Sequence, residues 1–226
     1  MVKAVIFDID GTLYDYKRAN DKGIEALEKY AVENLPIKAG DFRQIYDQGR
    51  KRTKELLKDQ GAAYSRLLYA QHMLEQLGIK PVSHALEMER VYWDNFLASM
   101  VAFNGVRDFL LKLKAKGIQI AICTDMTAAI QHKKLRQLDV ADLIDVLVTS
   151  EEAGRDKPST QIYQLVLDKL GIEGKEALMI GDSLERDVKG AEAMGITGVW
   201  FTPEPIEERH CISNYTDGSV EKLCGL

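Results

Sequence analysis

Four aspartates and one lysine are the residues of this sequence whose types and spacing suggest chemistry. Asp8 and Asp10 follow a β-branched apolar segment, Asp182 and Asp187 follow another, and Lys157 precedes a proline. Like charges about 4 Å apart repel by about 4 kcal/mol at an effective dielectric constant of about 20, so clustered carboxylates require cations. Carboxylate ligands without histidine or cysteine favour a hard ion, usually Mg²⁺ where phosphates bind. We therefore expect Mg²⁺ and the lysine to neutralise an approaching phosphate group.

The segments around these residues alternate between buried strands and amphipathic helices. Short apolar, β-branched segments predict strands at residues 3–8, 118–124, 144–149, 176–181 and 196–201. Apolar residues at helical spacing predict helices at residues 105–116, 127–138, 159–170 and 184–194. This alternation is typical of an α/β fold with a doubly wound parallel sheet.

The candidate residues lie at the ends of the predicted strands. Asp8, Thr124 and Asp182 each end or directly follow a predicted strand, and Lys157 follows a further one. In open parallel sheets, ligands bind at the carboxyl ends of the strands. The sequence therefore predicts one polar site at one edge of the sheet.

Residues 15–100 interrupt the alternation, because no strand-like segment stands out there. Apolar positions at helical spacing predict helices at residues 19–34, 41–60, 64–77 and 84–98. We expect an α/β core built from residues 1–14 and 101–226, with residues 15–100 as an inserted helical domain. The last stretch, 203–226, is predicted to be a loop and a short terminal helix.

The sequence resembles the haloacid dehalogenase-like superfamily in four motifs, which occur in the order of that family. Residues 8–12 match the signature DxDGT, Thr124 matches the second motif, Lys157 matches the third, and residues 181–187 match the fourth, GDSxxxD. The resemblance covers nearly the whole chain. It implies a Rossmann-like core and an all-helical cap of the C1 type at 15–100.

The resemblance implies a phosphatase mechanism with a role for each motif residue. Asp8 would be the nucleophile that forms an aspartyl-phosphate, and Asp10 would protonate the leaving alcohol and then activate water. Thr124 would donate a hydrogen bond to a phosphoryl oxygen, and Lys157 would stabilise the nucleophile and the developing charge.

The same resemblance implies a Mg²⁺ site and a group of supporting residues. Asp8, the Asp10 carbonyl and Asp182 would bind the ion, with Asp187 supporting it through a water molecule or by fixing Lys157. Backbone N–H groups around Asp10, Gly11 and Asp125 would complete the phosphate cradle. Asp125 is a departure, because asparagine commonly holds that place in the family, and an ionised carboxylate cannot donate a hydrogen bond.

The predicted function is hydrolysis of a small phosphorylated metabolite, because a C1-type cap must close to exclude water. The motifs look closest to the nucleotidases, N-acylneuraminate-phosphate phosphatases and phosphoglycolate phosphatases. A phosphomutase of the same superfamily and a non-catalytic phosphate-binding relative are the alternatives. A 2-haloacid dehalogenase is disfavoured, because those enzymes do not keep the acid found here as Asp10.

Composition and charge restrict the partners and the compartment. The chain has 226 residues and a formal net charge of −5, which disfavours nucleic acid or an anionic membrane as the main partner. Its 3 cysteines are far apart and form no CxxC pair, which favours reduced thiols in the cytoplasm. The apolar N-terminal segment is short and interrupted by Asp8, so neither a signal peptide nor a membrane span is predicted. The sequence gives no signal for an oligomeric state.

The inserted domain carries several basic and aromatic residues that we interpret mainly as exposed helix faces and helical core. A sharper hypothesis is that one or two of them contact the leaving group of the substrate, with Arg50 and Tyr64 as the residues to test. The full set is Arg43, Arg50, Lys51, Arg52, Lys54, Arg66, Tyr46, Tyr64, Tyr69, Tyr92 and Trp93.

Overall fold

The computed structural model describes residues 2–204 and 210–225, and the chain divides into two compact units. Residues 1–15 and 101–226 form the α/β unit, and residues 16–100 form the helical unit. Among the described residues, no helix has both the length and the apolar character needed to cross a membrane.

A parallel sheet forms the centre of the α/β unit. Its strands are β1 (Ala4–Phe7), β2 (Gln119–Thr124), β3 (Val146–Thr149), β4 (Ala177–Gly181), β5 (Thr197–Phe201) and β6 (Cys211–Ile212). The strand order is β3-β2-β1-β4-β5-β6, and every pairing within it is parallel. The residues of β1 are fully buried, as expected for a central strand covered on both faces. The predicted doubly wound parallel sheet is confirmed.

Helices of both units follow in chain order. The helical unit contains α1 (Tyr16–Asn34), α2 (Phe42–Leu56), α3 (Arg66–Gln76) and α4 (Ala85–Ala98). The α/β unit contains α5 (Val106–Ala115), α6 (Ala128–Gln137), α7 (Ser150–Ala153), α8 (Thr160–Leu170), α9 (Gly190–Glu192) and α10 (Ser219–Cys224). Short 3₁₀ turns occur at Gly61–Tyr64, Pro81–Ser83, Ala141–Leu143 and Gly174–Glu176.

Apolar side chains of α8 cover one face of the sheet. Ile162 and Val166 on α8 share a buried cluster with Ile6 of β1 and Val148 of β3. Ser159 caps the start of α8 by accepting a hydrogen bond from the Gln161 backbone N–H, at 3.4 Å. The apolar residues of α8, which recur at helical spacing, thus face the sheet, and its polar residues lie on the opposite face.

Three sequence predictions differ from the structure. The helix predicted over 41–60 ends at Leu56, because Leu57 leaves the helical region with φ −118° and ψ 39°, and the positive φ of 57° at Asp59 prevents the helix from resuming. The stretch 203–226 contains the strand β6, where only a loop and a helix were predicted. Residues 205–209 of that stretch, and its last residue, lie outside the described residues.

The third difference is a π-helix at Leu184–Lys189, where one α-helix was predicted over 184–194. The backbone N–H groups of Asp187 and Val188 both bond to the carbonyl of Ser183, at 2.9 and 3.3 Å. One carbonyl thus accepts both an i→i−4 and an i→i−5 hydrogen bond, which shows that the turn contains one extra residue. Such π-type turns are frequent at functional sites.

Candidate active site

The parallel register brings the candidate residues of three strands to one edge of the sheet. Phe7 of β1 lies level with Ile122 of β2 and with Ile180 of β4. Asp8 follows Phe7 directly, and Thr124 and Asp182 come two positions after Ile122 and Ile180, so all three lie at the carboxyl edge of the sheet. Asp8 is buried with 6% of its surface exposed, so its carboxylate depends on protein partners rather than on water.

Lys157 connects the acids of this edge. Its Nζ donates to Asp8 Oδ1 at 2.7 Å, to Asp187 Oδ1 at 2.6 Å and to the carbonyl of Cys123 at 3.0 Å. These three acceptors use all three donors of the ammonium group, whose side chain is 3% exposed. A buried lysine with this set of partners is held in one orientation, with its charge directed at Asp8.

Burial and charge shift the pKa values of Asp8 and Lys157. Burial, together with the charge of Asp187 and against the lowering effect of Lys157, raises the pKa of Asp8 to about 8. Burial alone would lower the pKa of Lys157, but Asp187 and Asp8 outweigh it and hold that pKa well above its usual range. Lys157 therefore stays cationic, while Asp8 carries a proton readily unless a further cation joins the site.

Three carboxylates form a group that fits a divalent cation. Oxygens of Asp8, Asp182 and Asp187 all lie within 4.8 Å of one another. These hard oxygen donors, with no histidine or cysteine in the group, match the ligand preference of Mg²⁺. Crowding shows in Asp182, whose pKa is raised to about 6, first by desolvation of its carboxylate and then by Asp187. A dication would relieve the repulsion within this group.

The loop that carries Asp182 is fixed by its neighbours. Its backbone N–H donates to Thr12 Oγ1 at 3.0 Å, and its carbonyl accepts from Trp200 Nε1 at 2.9 Å. Gly11 has a positive φ of 86°, and a Cβ there would lie 2.3 Å from Asp182 Oδ2. Only glycine allows this carboxylate to approach the Asp8 loop so closely.

Asp187 is held by contacts to both of its oxygens. Oδ1 accepts from Lys157, and Oδ2 accepts from the backbone N–H of Ser183 at 2.9 Å. A Cβ on Gly181 would lie 2.3 Å from the Asp187 carboxyl carbon, so the end of β4 must be glycine for this packing. Asp187 thus contacts Lys157 directly, which is one of the two supporting roles expected for it.

Thr124 and Asp125 are both engaged by residues of other segments. Gln131 Nε2 donates to Thr124 Oγ1 at 2.8 Å and to the Asp125 carbonyl at 2.7 Å. The Asp125 carboxylate accepts from the backbone N–H of Lys157 at 2.8 Å and from Arg186 Nη1 at 3.0 Å. Asp125 therefore anchors the loop that carries Lys157, so its acidic side chain is explained by these contacts.

The Asp10 side chain has partners of its own. Lys134 Nζ on α6 lies 2.7 Å from both carboxylate oxygens, and the Tyr14 hydroxyl donates a short hydrogen bond to Oδ1. The Asp10 side chain is thus turned toward Lys134 and is not part of the carboxylate group of Asp8, Asp182 and Asp187.

Sequence reasoning missed four residues of this site: Tyr14, Lys134, Gln131 and Arg186. Lys134 and Gln131 lie on the predicted helix 127–138, three residues apart, and both are fully buried. Two polar residues on the apolar face of an amphipathic helix were the available signal. Cys123, which precedes Thr124, is buried and free, and burial raises the pKa of its thiol, so it is a core residue.

The helical unit agrees with its sequence interpretation except at one residue. Tyr46, Tyr69, Tyr92 and Trp93 are buried, and Arg43, Arg50, Lys51 and Arg52 are exposed. Arg66 is the exception, because it is buried with 6% of its surface exposed. Tyr64 is partly buried, and its ring lies 5.1 Å from Lys54 Nζ.

Known proteins resemble this chain over most of its length. The chain is 36% identical over 205 residues to ribulose-1,5-bisphosphate 5-phosphatase of Halopiger xanaduensis, covering 90% of this chain and 86% of that protein. It is 29% identical over 222 residues to glyceraldehyde 3-phosphate phosphatase of Methanothermobacter thermautotrophicus, covering 97% and 95%. The crystal structure of a HAD phosphatase from Thermococcus onnurineus shares the fold, with a TM-score of 0.76, 22% identity and coverage of 99% and 98%.

The family model of the haloacid dehalogenase-like hydrolases matches residues 2–195. That range contains all four motifs, including Asp8, Asp10, Thr124, Lys157, Asp182 and Asp187. The sequence match, the shared fold and the arrangement of acids around Lys157 agree with one another. The chain belongs to the haloacid dehalogenase-like hydrolase family.

Proposed function

We propose that this protein is a Mg²⁺-dependent phosphatase that hydrolyses small phosphorylated metabolites through an aspartyl-phosphate on Asp8. The observation that carries the proposal is the contact of buried Lys157 with both Asp8 and Asp187, beside a third carboxylate. This arrangement offers one nucleophile and fixed positive charge at a single point, as phosphoryl transfer requires.

The first chemical step joins Asp8 to phosphorus. An Asp8 oxygen attacks phosphorus, and the bond from phosphorus to the alcohol oxygen breaks. The Asp10 carboxyl group donates its proton to that oxygen, so the alcohol leaves in neutral form. Lys157 holds the attacking carboxylate and balances the charge that develops on the phosphoryl oxygens. Thr124 Oγ1 accepts from Gln131 and donates to the Asp125 carbonyl at 3.4 Å. We propose that the Thr124 hydroxyl turns from this long hydrogen bond to donate to a phosphoryl oxygen when substrate binds.

The second step releases phosphate. Asp10 takes a proton from a water molecule, the water oxygen attacks phosphorus, and the bond to Asp8 breaks to regenerate the carboxylate. Asp8, Asp182 and the Asp10 carbonyl are the proposed Mg²⁺ ligands, with Asp187 as a neighbour that also holds Lys157. When bound, the ion would supply a Lewis acid that polarises a phosphoryl oxygen.

The relatives point to a phosphorylated sugar or a small phosphorylated carboxylic acid as the substrate. Their names specify ribulose 1,5-bisphosphate and glyceraldehyde 3-phosphate, and a further relative, 27% identical over 212 residues, is the phosphoglycolate phosphatase of Shigella boydii. All three compounds are small metabolites with a phosphomonoester. We propose this substrate class for the present chain. The cap function of the helical unit stays a prediction, as does the cytoplasmic location, with which the free thiol of Cys123 agrees.

The test is Mg²⁺-dependent phosphate release from p-nitrophenyl phosphate and from a panel of the three metabolites. Asp8→Asn should lower kcat/KM by at least about 10³-fold, because removal of a nucleophile leaves only binding and electrostatic effects. Asp108→Asn, an exposed acid of the same unit, is the matched control and should retain activity. Hydrolysis that survives in Asp8→Asn would contradict the proposal, and so would transfer of the phosphoryl group to a second sugar hydroxyl without release of phosphate.

A further inference from the structure

We infer that Lys134 is a positioning residue for this reaction, whose ammonium group orients the Asp10 carboxyl group toward the leaving oxygen. The inference rests on the proposed function, because it assigns Lys134 through the role of Asp10. Lys134 does not belong to any of the four sequence motifs, and it lies 124 positions from Asp10 in the chain.

The contacts of Lys134 fix the Asp10 side chain. Its Nζ lies 2.7 Å from both Oδ1 and Oδ2, while the Tyr14 hydroxyl donates to Oδ1. A carboxylate that is held at both oxygens cannot rotate about its last bond without breaking at least one contact. The Asp10 side chain remains 22% exposed, so one part of it stays accessible for proton exchange.

The burial of Lys134 needs an explanation beyond the stability of the fold. Its side chain is fully buried, and its ammonium group also contacts Met126 Sδ at 3.5 Å. Removing an ammonium group from water costs several kcal/mol, and hydrophobic residues of similar volume often replace buried ion pairs without loss. Ile130 and Leu135 already pack α6 into the core, so the helix does not depend on a charge at position 134.

The position of Lys134 also separates Asp10 from its acidic neighbours. Asp8, Asp182 and Asp187 form the carboxylate group around Lys157, and the Asp10 side chain lies outside it. Lys134 provides a competing cation that keeps the Asp10 carboxylate away from Lys157 and from a bound metal. Without this cation, the Asp10 side chain is expected to sample other rotamers and to reach the leaving oxygen less often.

The test compares two leaving groups in the variant Lys134→Met. An alkyl phosphate such as glyceraldehyde 3-phosphate needs a proton on its leaving oxygen, whereas p-nitrophenolate leaves without one. General acid catalysis contributes about 10²–10⁴-fold, so kcat/KM for the alkyl phosphate should fall by about 10–100-fold. The value for p-nitrophenyl phosphate should fall by less than about 3-fold, because the same step has little need of an acid. kcat/KM depends only on the steps up to and including release of the alcohol. The later hydrolysis of the aspartyl-phosphate therefore does not affect this comparison.

Two further variants keep the result interpretable. Lys133→Met changes the exposed neighbour on the same helix and should leave both substrates unaffected. Tyr14→Phe removes the second contact to Asp10 and should show the same leaving-group pattern at smaller size, even if Lys134→Met folds poorly. Thermal unfolding of each variant shows whether the fold is intact.

Equal losses on both substrates, or no loss on either in a folded Lys134→Met protein, would overturn the inference. Either result leaves the proposed function standing, because wild-type activity would still depend on Asp8. A wild-type protein that hydrolyses neither phosphate would instead refute the proposed function itself.

Discussion

Lys157 in the α/β unit and Arg66 in the helical unit are both almost fully buried, with 4% and 6% of their surfaces exposed. Their surroundings differ in kind. Lys157 contacts two carboxylates and a carbonyl. Arg66 forms no salt bridge to a carboxylate within residues 2–204 and 210–225, and its polar partners are hydroxyl groups and a backbone carbonyl.

Aromatic side chains enclose the Arg66 guanidinium. It donates to the Tyr64 carbonyl at 2.7 Å and to the hydroxyls of Tyr16 and Tyr92 at 2.9 and 3.1 Å. Its Cζ also lies 4.9 to 5.3 Å from the ring centroids of Tyr69, Tyr92 and Trp93. The electron-rich ring faces stabilise the cation without a formal negative charge.

The comparison distinguishes a buried cation that contacts the groups of the proposed reaction from a buried cation that stabilises the fold. In the proposed reaction the acids around Lys157 include the nucleophile, and a phosphoryl group bound there would change the charge around each of them. The rings around Arg66 carry no net charge. The contacts by which Arg66 joins α1, α3 and α4 therefore do not depend on a substrate. Substitution of the two cations should therefore affect different measurements.

The largest effect is expected for Lys157→Met. Loss of one charged group that stabilises a transition state typically lowers the rate by about 10²–10³-fold, and kcat/KM for p-nitrophenyl phosphate should fall within or beyond that range. Lys116→Met, at an exposed position of the same unit, provides the control for an equal change of charge. Activity within about tenfold of wild type would mean that Lys157 only packs the site.

Arg66→Met should lower the free energy of unfolding by about 2–3 kcal/mol. The variant loses cation–π contacts of about 0.5–2 kcal/mol each and hydrogen bonds of about 1 kcal/mol each, but it also removes the desolvation cost of a buried guanidinium, which offsets part of the loss. Urea denaturation followed by tryptophan fluorescence measures this change. Arg52→Met removes an exposed arginine of the same unit and should leave stability nearly unchanged. Equal stability of the two variants would remove the proposed distinction between the two cations.

Stability of the metal-free protein should fall as pH rises from about 4 to about 8. Burial raises the pKa of Asp8 from 3.8 to about 8, so the folded state binds a proton that the unfolded state has lost between these values. The stabilisation is complete below the unfolded pKa and is lost as pH rises through the folded one. The pKa of Asp182, which burial raises to about 6, makes stability depend on pH in the same direction.

Thermal unfolding at pH 5 and pH 8 in the presence of a chelator measures this dependence. Asp8→Asn should flatten it, because the amide does not titrate in this range. Addition of Mg²⁺ at pH 8 should raise the melting temperature of the wild type more than that of Asp8→Asn. A wild-type curve with no pH dependence beyond that of the variant would contradict the assigned shift.

The smallest effect is expected for Asp125→Asn. The amide oxygen can still accept from the Lys157 backbone N–H, and the lost ion pair to Arg186 is partly exposed, with side chains 45% and 12% accessible. Exposed ion pairs contribute about 0–1 kcal/mol, so kcat/KM should change by less than about 5-fold. Asp125→Ala removes the acceptor as well and should lower activity more, which a comparison of the two variants shows.

The strands and the motif positions were accessible from the sequence because each depends on local pattern. A buried β-branched segment that ends in Asp8 predicts both a central strand and a polar group at its end. The parallel sheet then brings Thr124 and Asp182 beside it without further information. Such elements are predicted well because the residues that determine them are neighbours in the chain.

Lys134 and Arg66 were not accessible in this way, because their partners lie far away in the sequence. Lys134 meets Asp10 across 124 positions, and Arg66 meets Tyr16 across 50. A lysine in an amphipathic helix is normally interpreted as solvent-exposed, and only the packing of α6 shows otherwise. The two-residue pairing of β6 with β5 likewise leaves too short a pattern to be recognised.

The π-helix at Leu184–Lys189 has a consequence for the length of this segment. Each residue of an α-helix advances by about 100° around the axis, so one extra residue redirects every side chain that follows it. Deleting a single residue between Ser183 and Asp187 would restore regular winding and turn the acid away from the ammonium group it now meets. The segment thus acts as a spacer whose residue count, rather than its composition, sets the direction of one carboxylate.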